Sequence, residues 1–511
     1  MQLLRLVLCV AAASPTLARV KRILHFSDVH LNISATYDPS DSAKMPIRYG
    51  ADAPIALLES ALEYARRVMP DPDFLLYTGD HAAHGRFSDD FIQHAVETNV
   101  KTFEKYFPVD EKRLEATAIV GNADGNPDYY MDVSDPAKTE NPSIKLISQV
   151  WSSSLSKSNF DSFSRRGYLS YDLDERLAVL TLNTVPYSVS SQVGSGRSSL
   201  LCDSRAILSH QPSHLPDTSA NEDPFHQFAW LNATLSELRA ASRFAYIAGH
   251  IAPFVDSYGG QPQWHEHYIK KYKSIVSSYS DVIKAQFFGH VHSVEFRVPV
   301  DGSSSNSPNQ VPLFVSGSLS PLFGNNPSFM VWEYDSETYE ILDYTVHATN
   351  ISDSTPQLTW KPLIHARDVY EVESLSTDAL NDLYERIQAD SSLLETYYWN
   401  MKAQSYRLPP CDNNECRANI LCTLKWWSTR DEFLACVNSA KTSYKVMARA
   451  GVTANSALPP SQVLIAIAAT VFAAAVVIAI VLGVLRVLKN SGVIKSPEER
   501  EKEFENVFPM L

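Results

Sequence analysis

The sequence predicts an α/β sandwich that continues into a short helical, disulfide-bonded segment and ends in one apolar span. Three observations carry this expectation. Between residues 22 and about 350, short apolar runs repeatedly end in Gly beside Asp, His or Asn. Stretches of helical period separate those runs, and strands alternating with helices argue for layered α/β packing. After about residue 365 the pattern turns helical, four cysteines cluster, and a 23-residue uncharged stretch follows.

In chain order, Met1 to Ala18 has Arg5, an apolar run from Leu6 to Ala13, and small residues at Thr16-Leu17-Ala18. This is the pattern of a signal peptide, assigned to residues 1–18. The first strand candidate is Ile23-Leu24-His25-Phe26, before Ser27-Asp28-Val29-His30, with His25 packing inside it. Pro54 to Val68 reads as a helix, with Leu57, Leu58, Ala61 and Ala65 on one face. Phe74 to Tyr77 precedes Thr78-Gly79-Asp80, and Ala118-Ile119-Val120 precedes Gly121-Asn122. Residues 185–225, rich in Ser, Gly and Pro, read as a long loop. Phe244 to Ile247 precedes Ala248-Gly249-His250, and Ala285 to Phe288 precedes Gly289-His290-Val291-His292. Phe329 to Asp335 and Ile341 to Val346 read as late strands that close the domain. Ser376-Thr377-Asp378 starts a helix carrying Leu380, Leu383 and Ile387 at helical spacing.

The C-terminal third carries the topology. Cys411, Cys416, Cys422 and Cys436 pair most simply as 411–416 and 422–436, among three possible connectivities. A zinc ribbon would need paired C-x-x-C spacing, which is missing. Cys202 is left alone, and Cys9 falls in the signal. Val463 to Leu485 is long enough at 1.5 Å per residue to cross a bilayer core of about 30 Å. Arg486, Lys489 and Lys495 follow it, so the positive-inside bias gives a type I single-pass protein of the secretory pathway. The body of the chain is then luminal or extracellular, residues 451–462 are a linker, and 486–511 are a cytoplasmic tail. Sequons at Asn32, Asn232 and Asn350 agree with that side of the membrane. Plasma membrane, vacuole and endosome all fit.

Composition excludes one class. A formal net charge of −14 and no Lys/Arg-rich run in the body of the chain argue against binding a nucleic-acid polymer. Oligomeric state is not readable.

The chemistry lies in five dispersed motifs: Asp28-x-His30, Gly79-Asp80, Gly121-Asn122, Gly249-His250 and Gly289-His290-x-His292. Each follows an apolar strand candidate, and ligands of open α/β sheets gather beyond strand carboxyl ends. Residues i and i+2 at a strand end reach one ion, and neighbouring glycines leave room for metal and phosphate. Two divalent ions about 3.5–4 Å apart need a bridging carboxylate, for which Asp80 is the candidate. An imidazole-rich set suits zinc or iron better than magnesium or calcium.

With these motifs the chain resembles the calcineurin-like metallophosphoesterases, and among them the acid sphingomyelinase and acid sphingomyelinase-like phosphodiesterase family. The narrower resemblance rests on Ala285 to Phe296, on Tyr77-Thr78-Gly79-Asp80 with His84 four residues on, on Gly249 to Pro253, and on the four C-terminal cysteines. It covers roughly residues 22 to 440, with no room for a saposin-like domain before Asp28. The resemblance implies a four-layer sandwich of two mixed β-sheets flanked by helices over residues 19–365, and a helical, disulfide-bonded region over 366–450. It implies two ions, zinc by preference, one on Asp28, His30, Asp80 and His292 and the other on Asp80, Asn122, His250 and His290. It also implies a water or hydroxide between the ions as the nucleophile that attacks a phosphodiester in line with its leaving alkoxide.

One position departs from the family pattern. A His commonly follows the Gly-Asn pair and is assigned to the leaving group, and here Ala123 stands in its place. His84 is the first candidate for that acid, with Asn122 beside it in the catalytic set, and His81 is a further one. His265 and His267 beside Trp264 fit either a substrate rim or a solvated loop, and Ser320 to Pro327 resembles a family loop near the active site. The expected activity is a metal-dependent phosphodiesterase on a membrane sphingolipid such as sphingomyelin. A same-family hydrolase of soluble phosphates, a nucleotide phosphodiesterase or an endopolyphosphatase, is the alternative. A non-catalytic metal-binding surface protein is the third reading, against which all seven ligands are retained.

Overall fold

In the computed structural model the described residues are 19–33, 45–108, 117–133, 141–152, 155–191, 222–299, 311–351 and 358–449. The first apolar run forms β1 (Val20–Phe26), exposed at Val20 and buried from Ile23 onward. It pairs in parallel with β2 (Phe74–Tyr77). Parallel neighbours need a crossover, and the helix Ile55–Val68 lies in the connection, burying Leu57, Leu58, Ala61, Leu62 and Ala65 on one face.

The second sheet is built from β3 (Leu169–Asp172), β4 (Leu177–Thr181), β5 (Phe244–Ala248), β6 (Ile283–Phe288), β7 (Glu295–Arg297) and β8 (Leu313–Val315), in the order β3-β4-β5-β6-β8-β7. Its inner strands β4, β5, β6 and β8 run parallel, and the edges β3 and β7 are antiparallel. Three late strands, β9 (Ser328–Asp335), β10 (Ile341–Thr349) and β11 (Trp360–His365), return to β1 and complete a first sheet of order β11-β10-β9-β1-β2. Both sheets are therefore mixed.

Strand alternation divides the core. On β4 and β5, Leu177, Val179, Tyr246 and Ala248 join the cluster that holds β1, β2 and β9. Their neighbours Ala178, Leu180, Ala245 and Ile247 pack instead with the helices Gln227–Ala240 and Glu266–Ser278. This is the period-2 signature of strands buried on both faces.

One expected strand is not formed. Residues 118–120 are buried but make no ladder. Side-chain hydroxyls take the ladder's place: Thr117 Oγ1 accepts from the Tyr77 N–H and donates to the Tyr77 carbonyl (both 2.8 Å), and the Ala118 N–H donates to Tyr171 Oη (2.9 Å).

Beyond β11 the described residues form helices Ala366–Tyr370, Thr377–Ala389, Ser391–Met401, Asn414–Thr423 and Arg430–Arg449. Ser376 caps the second of these, accepting from the Ala379 N–H. Disulfides join Cys411 to Cys416 and Cys422 to Cys436. These helices are sewn to the second sheet: the Val294 N–H donates to Met401 O, Val298 N–H to Leu424 O and Trp426 N–H to Val298 O, each at 2.8 Å. One compact unit accordingly runs through Val446. Among the described residues no helix is long and apolar enough to cross a membrane. The segments 1–18, 451–462, 463–485 and 486–511, and Cys202, lie outside the described residues.

Candidate metal centre

Each motif follows the carboxyl end of its strand or apolar run, and the backbone there is unusual. Asp28, His30, Asp80, His290 and His292 all have left-handed φ, between 47° and 74°. Such a conformation costs a non-glycine residue about 1–3 kcal/mol and persists where the surroundings demand it. Two glycines are required by close approach. A Cβ on Gly121 would overlap Asp80 Oδ1 and the Asp80 amide, and one on Gly289 would overlap Ser27 Oγ and sit 2.6 Å from Asp28 Oδ2.

The structure brings all seven expected ligands together. Asp80 Oδ2 lies 3.3 Å from His30 Nε2 and 3.1 Å from His250 Nε2, between the two halves of the cluster. On one side His30 Nε2 is 3.1 Å from His292 Nε2, and Asp28 Oδ1 is 3.4 Å from His292 Nε2. On the other, His250 Nε2 is 3.0 Å from Asn122 Oδ1, and His290 groups with Asp80 and His250.

Hydrogen bonds outside the cluster fix which atoms face it. His30 Nδ1 donates to Ala82 O (3.0 Å) and His250 Nδ1 to Thr78 O (2.8 Å), so each Nε2 is turned toward the cluster. Asn122 Nδ2 donates to Asp128 Oδ1 (3.0 Å), which turns its carbonyl oxygen inward. Imidazole nitrogens, carboxylate oxygens and one amide oxygen thus converge, a set that divalent cations fit once the ring protons are displaced. Protons respond to the same crowding. Burial opposes charge on His30 and His250, but the carboxylates outweigh it, Asp80 foremost, and raise their pKa values to about 10 and about 9. Burial instead pushes His290 down to about 3 and His292 to about 4.

His84 and His81 part company. The His84 ring stacks on His30 with centroids 3.7 Å apart, and one of its nitrogens falls within 4.8 Å of ligand atoms of His30 and His292. His81 turns away: its Nδ1 bonds Asp124 Oδ2 (2.9 Å) and its ring packs between Tyr77 and Trp151. Ala123 offers only its N–H, which donates to Asp80 Oδ1 (2.8 Å). Trp264 is fully buried, bonding Ile251 O, so it forms no rim; His265 is half-buried and His267 exposed at the start of the following helix. The Ser320 loop does reach the site: the Ser320 N–H donates to Asp28 O (3.1 Å), and the Phe323 ring, 47% exposed, meets His292 edge-on at 4.7 Å.

Several supporting residues had been given no role from the sequence. Asp124 accepts from the amides of His81, Ala82 and Gly121 and so joins two ligand loops. Asp52 holds His84, Gln263 meets His290 Nε2 (3.1 Å), and Lys402 donates to His292 O (2.8 Å). Asp124 alone stood inside a motif, two residues after Asn122.

The chain matches the family described as calcineurin-like phosphoesterase over residues 21–294, more than half its length. The chain belongs to that family. A second family, the acid sphingomyelin phosphodiesterase C-terminal region, matches residues 306–443, which takes in β8 to β11 as well as the later helices. Among curated relatives, the phosphoesterase is 28% identical over 395 residues to sphingomyelinase phosphodiesterase D of Dictyostelium discoideum, covering 76% of this chain and 80% of that one. It is 26% identical over 477 residues to human acid sphingomyelinase-like phosphodiesterase 3b, covering 87% and 96%. Human cyclic GMP-AMP phosphodiesterase SMPDL3A is 24% identical over 419 residues, covering 78% and 84%.

Proposed function

We propose that this chain is a dinuclear-metal phosphodiesterase of the sphingomyelin phosphodiesterase type, held at a membrane by residues 463–485 with its catalytic unit on the luminal or extracellular side. The observation that carries the chemistry is the convergence of ligand atoms around Asp80 Oδ2, at 3.3 and 3.1 Å from two imidazole nitrogens fixed by backbone carbonyls. Asp28, His30, Asp80 and His292 would hold one ion, and Asp80, Asn122, His250 and His290 the other. Zinc suits the four imidazoles. When bound, the ions supply the positive charge that neutralises a phosphate group in a water-poor site.

The chain's own residues do the rest. His84 donates a proton to the leaving oxygen, the role that Ala123 has no ring to fill. The Asp80 carboxylate is kept in place by the Ala123 and Asp124 loop. Phe323 and Tyr258, 47% and 56% exposed, stand at the rim and offer ring faces to a choline headgroup. The two disulfides support an oxidising compartment, and the exposed Asn232 and Asn350 support glycosylation there.

A nucleotide phosphodiesterase is the second reading, favoured by the relative named for cyclic GMP-AMP, and the same rings would stack a base. The test is a panel of sphingomyelin, cyclic and linear nucleotides and polyphosphate on the purified full-length protein, with metal content measured. Chelator-sensitive release of phosphocholine is expected. Turnover of nucleotides or polyphosphate with none of sphingomyelin would transfer the assignment to the second reading.

A further inference from the structure

The chemistry proposed above needs a proton donor held at one angle, and the fold supplies a carboxylate for that purpose. Asp52 precedes the helix Ile55–Val68, far in sequence from every motif. It grips His84 twice: Oδ2 accepts from the His84 backbone N–H (2.8 Å) and Oδ1 from ring Nδ1 (3.0 Å). The same Oδ1 accepts from Ser320 Oγ (3.1 Å), whose loop carries Phe323 against the His84 ring at 5.7 Å. Backbone pairing sets this up, because Leu31, next to His30, bridges Ala53 on one side and Ala82 on the other.

We propose that Asp52 is the positioning residue for His84: it engages Nδ1, so that Nε2 is presented to the leaving-group side of the cluster, and through Ser320 it seats Phe323 over the same ring. This rests on the phosphodiesterase reading.

His84 is placed to give up a proton from the edge of the cluster. Its Nδ1 is taken by Asp52, and its side chain is 27% exposed, whereas those of Asp28, His30, Asp80 and His292 are at most 2% exposed. The step balances as hydrolysis. Water supplies the oxygen that bonds to phosphorus and loses one proton to solvent. The P–O bond to the alkoxide breaks with its electron pair on oxygen, which takes the Nε2 proton of His84, and solvent restores that proton.

Full-length wild type, Asp52→Asn and His84→Gln are compared on bis(p-nitrophenyl) phosphate, whose leaving group needs no acid, and on sphingomyelin and a dinucleotide, whose leaving groups do. Asp52→Asn, of nearly equal volume, is expected to lower kcat on the alkyl phosphodiesters about 10–100-fold, with KM and bound metal little altered and a much smaller loss on the nitrophenyl ester. A second readout needs no turnover. In nitrogen-15 spectra of the metal-free chain, the histidine Nδ1–H signal that disappears in His84→Gln should also be lost or moved in Asp52→Asn. Equal losses on all three substrates, or an unmoved Nδ1–H signal, would overturn the assignment while leaving the phosphodiesterase reading intact. A wild type inactive on all three would bring down that reading, and the role of Asp52 with it.

Discussion

The two sides of Asp80 are built differently. On the His30 side every ligand is fully buried, and the Ser320 loop, Phe323 and His84 cover it. On the His250 side the outermost ligand, His290, is half-buried, and its Nε2 meets Gln263 and the Tyr129 hydroxyl, themselves half-buried. Each side has one imidazole fixed by a backbone carbonyl, His30 by Ala82 and His250 by Thr78, but Asn122 on the open side depends on one side chain, Asp128. The closed side is therefore sealed from solvent, whereas the open side is bordered by half-buried, replaceable side chains. An ion on the open side should exchange more readily and respond more to substitution.

The strongest way to erase the distinction is Asp80→Asn, which removes the carboxylate the two halves share. Both ions should be lost on dialysis and turnover should fall to that of chelator-treated protein, as elemental analysis and a phosphodiester assay would show. Asp128→Ala should sharpen it instead. Freed from its partner, the Asn122 amide can rotate, and one ion should bind about 10–100-fold more weakly while the other is unaffected. Calorimetric titration of the metal-free protein should then resolve two unequal sites. A matching loss at both sites would contradict the division.

Proton competition gives the next effect. Without metal, the carboxylates hold His30 protonated up to about pH 10 and His250 up to about pH 9. A protonated imidazole has no lone pair at that nitrogen, so binding must release its proton. Affinity should consequently rise with pH by about tenfold per unit for each proton displaced, levelling on the His250 side before the His30 side. Proton release into weak buffer during titration measures this, and affinity that falls with rising pH would contradict it. The smallest effect belongs to Lys402→Met. It leaves the Val291 and His292 carbonyls without the buried ammonium that now serves them at 3.2 and 2.8 Å. Stability should drop by about 1–3 kcal/mol in urea unfolding, with the closed side more affected than the open one.

The contrast also explains what could be read from sequence. Each of the seven expected ligands follows an apolar run and a short turn, so local pattern singled out the motifs and the family resemblance supplied the ligand set. Strands β1, β2, β5, β6, β9 and β10 were likewise visible as apolar runs, whereas β3, β4, β7, β8 and β11 were not picked out, and at 118–120 Thr117 and Tyr171 hydroxyls replace ladder partners that no periodicity reveals. The supporting shell was not legible. Asp52, Asp128, Gln263 and Lys402 lie in loops or at a helix end, and their partners are chosen by tertiary contact. The family resemblance put His84 ahead of His81, and the reach of Asp124 to His81 and of Asp52 to His84 is the physical separation between them.

The central claim is a pair of ions, shared through Asp80, that drives phosphodiester cleavage. Zinc titration of chelator-stripped full-length protein, followed by sphingomyelin hydrolysis at each addition, tests it most directly. The account predicts activity that is absent without metal and reaches its plateau at two ions per chain. Full activity at one ion, or undiminished activity in the stripped protein, would contradict it.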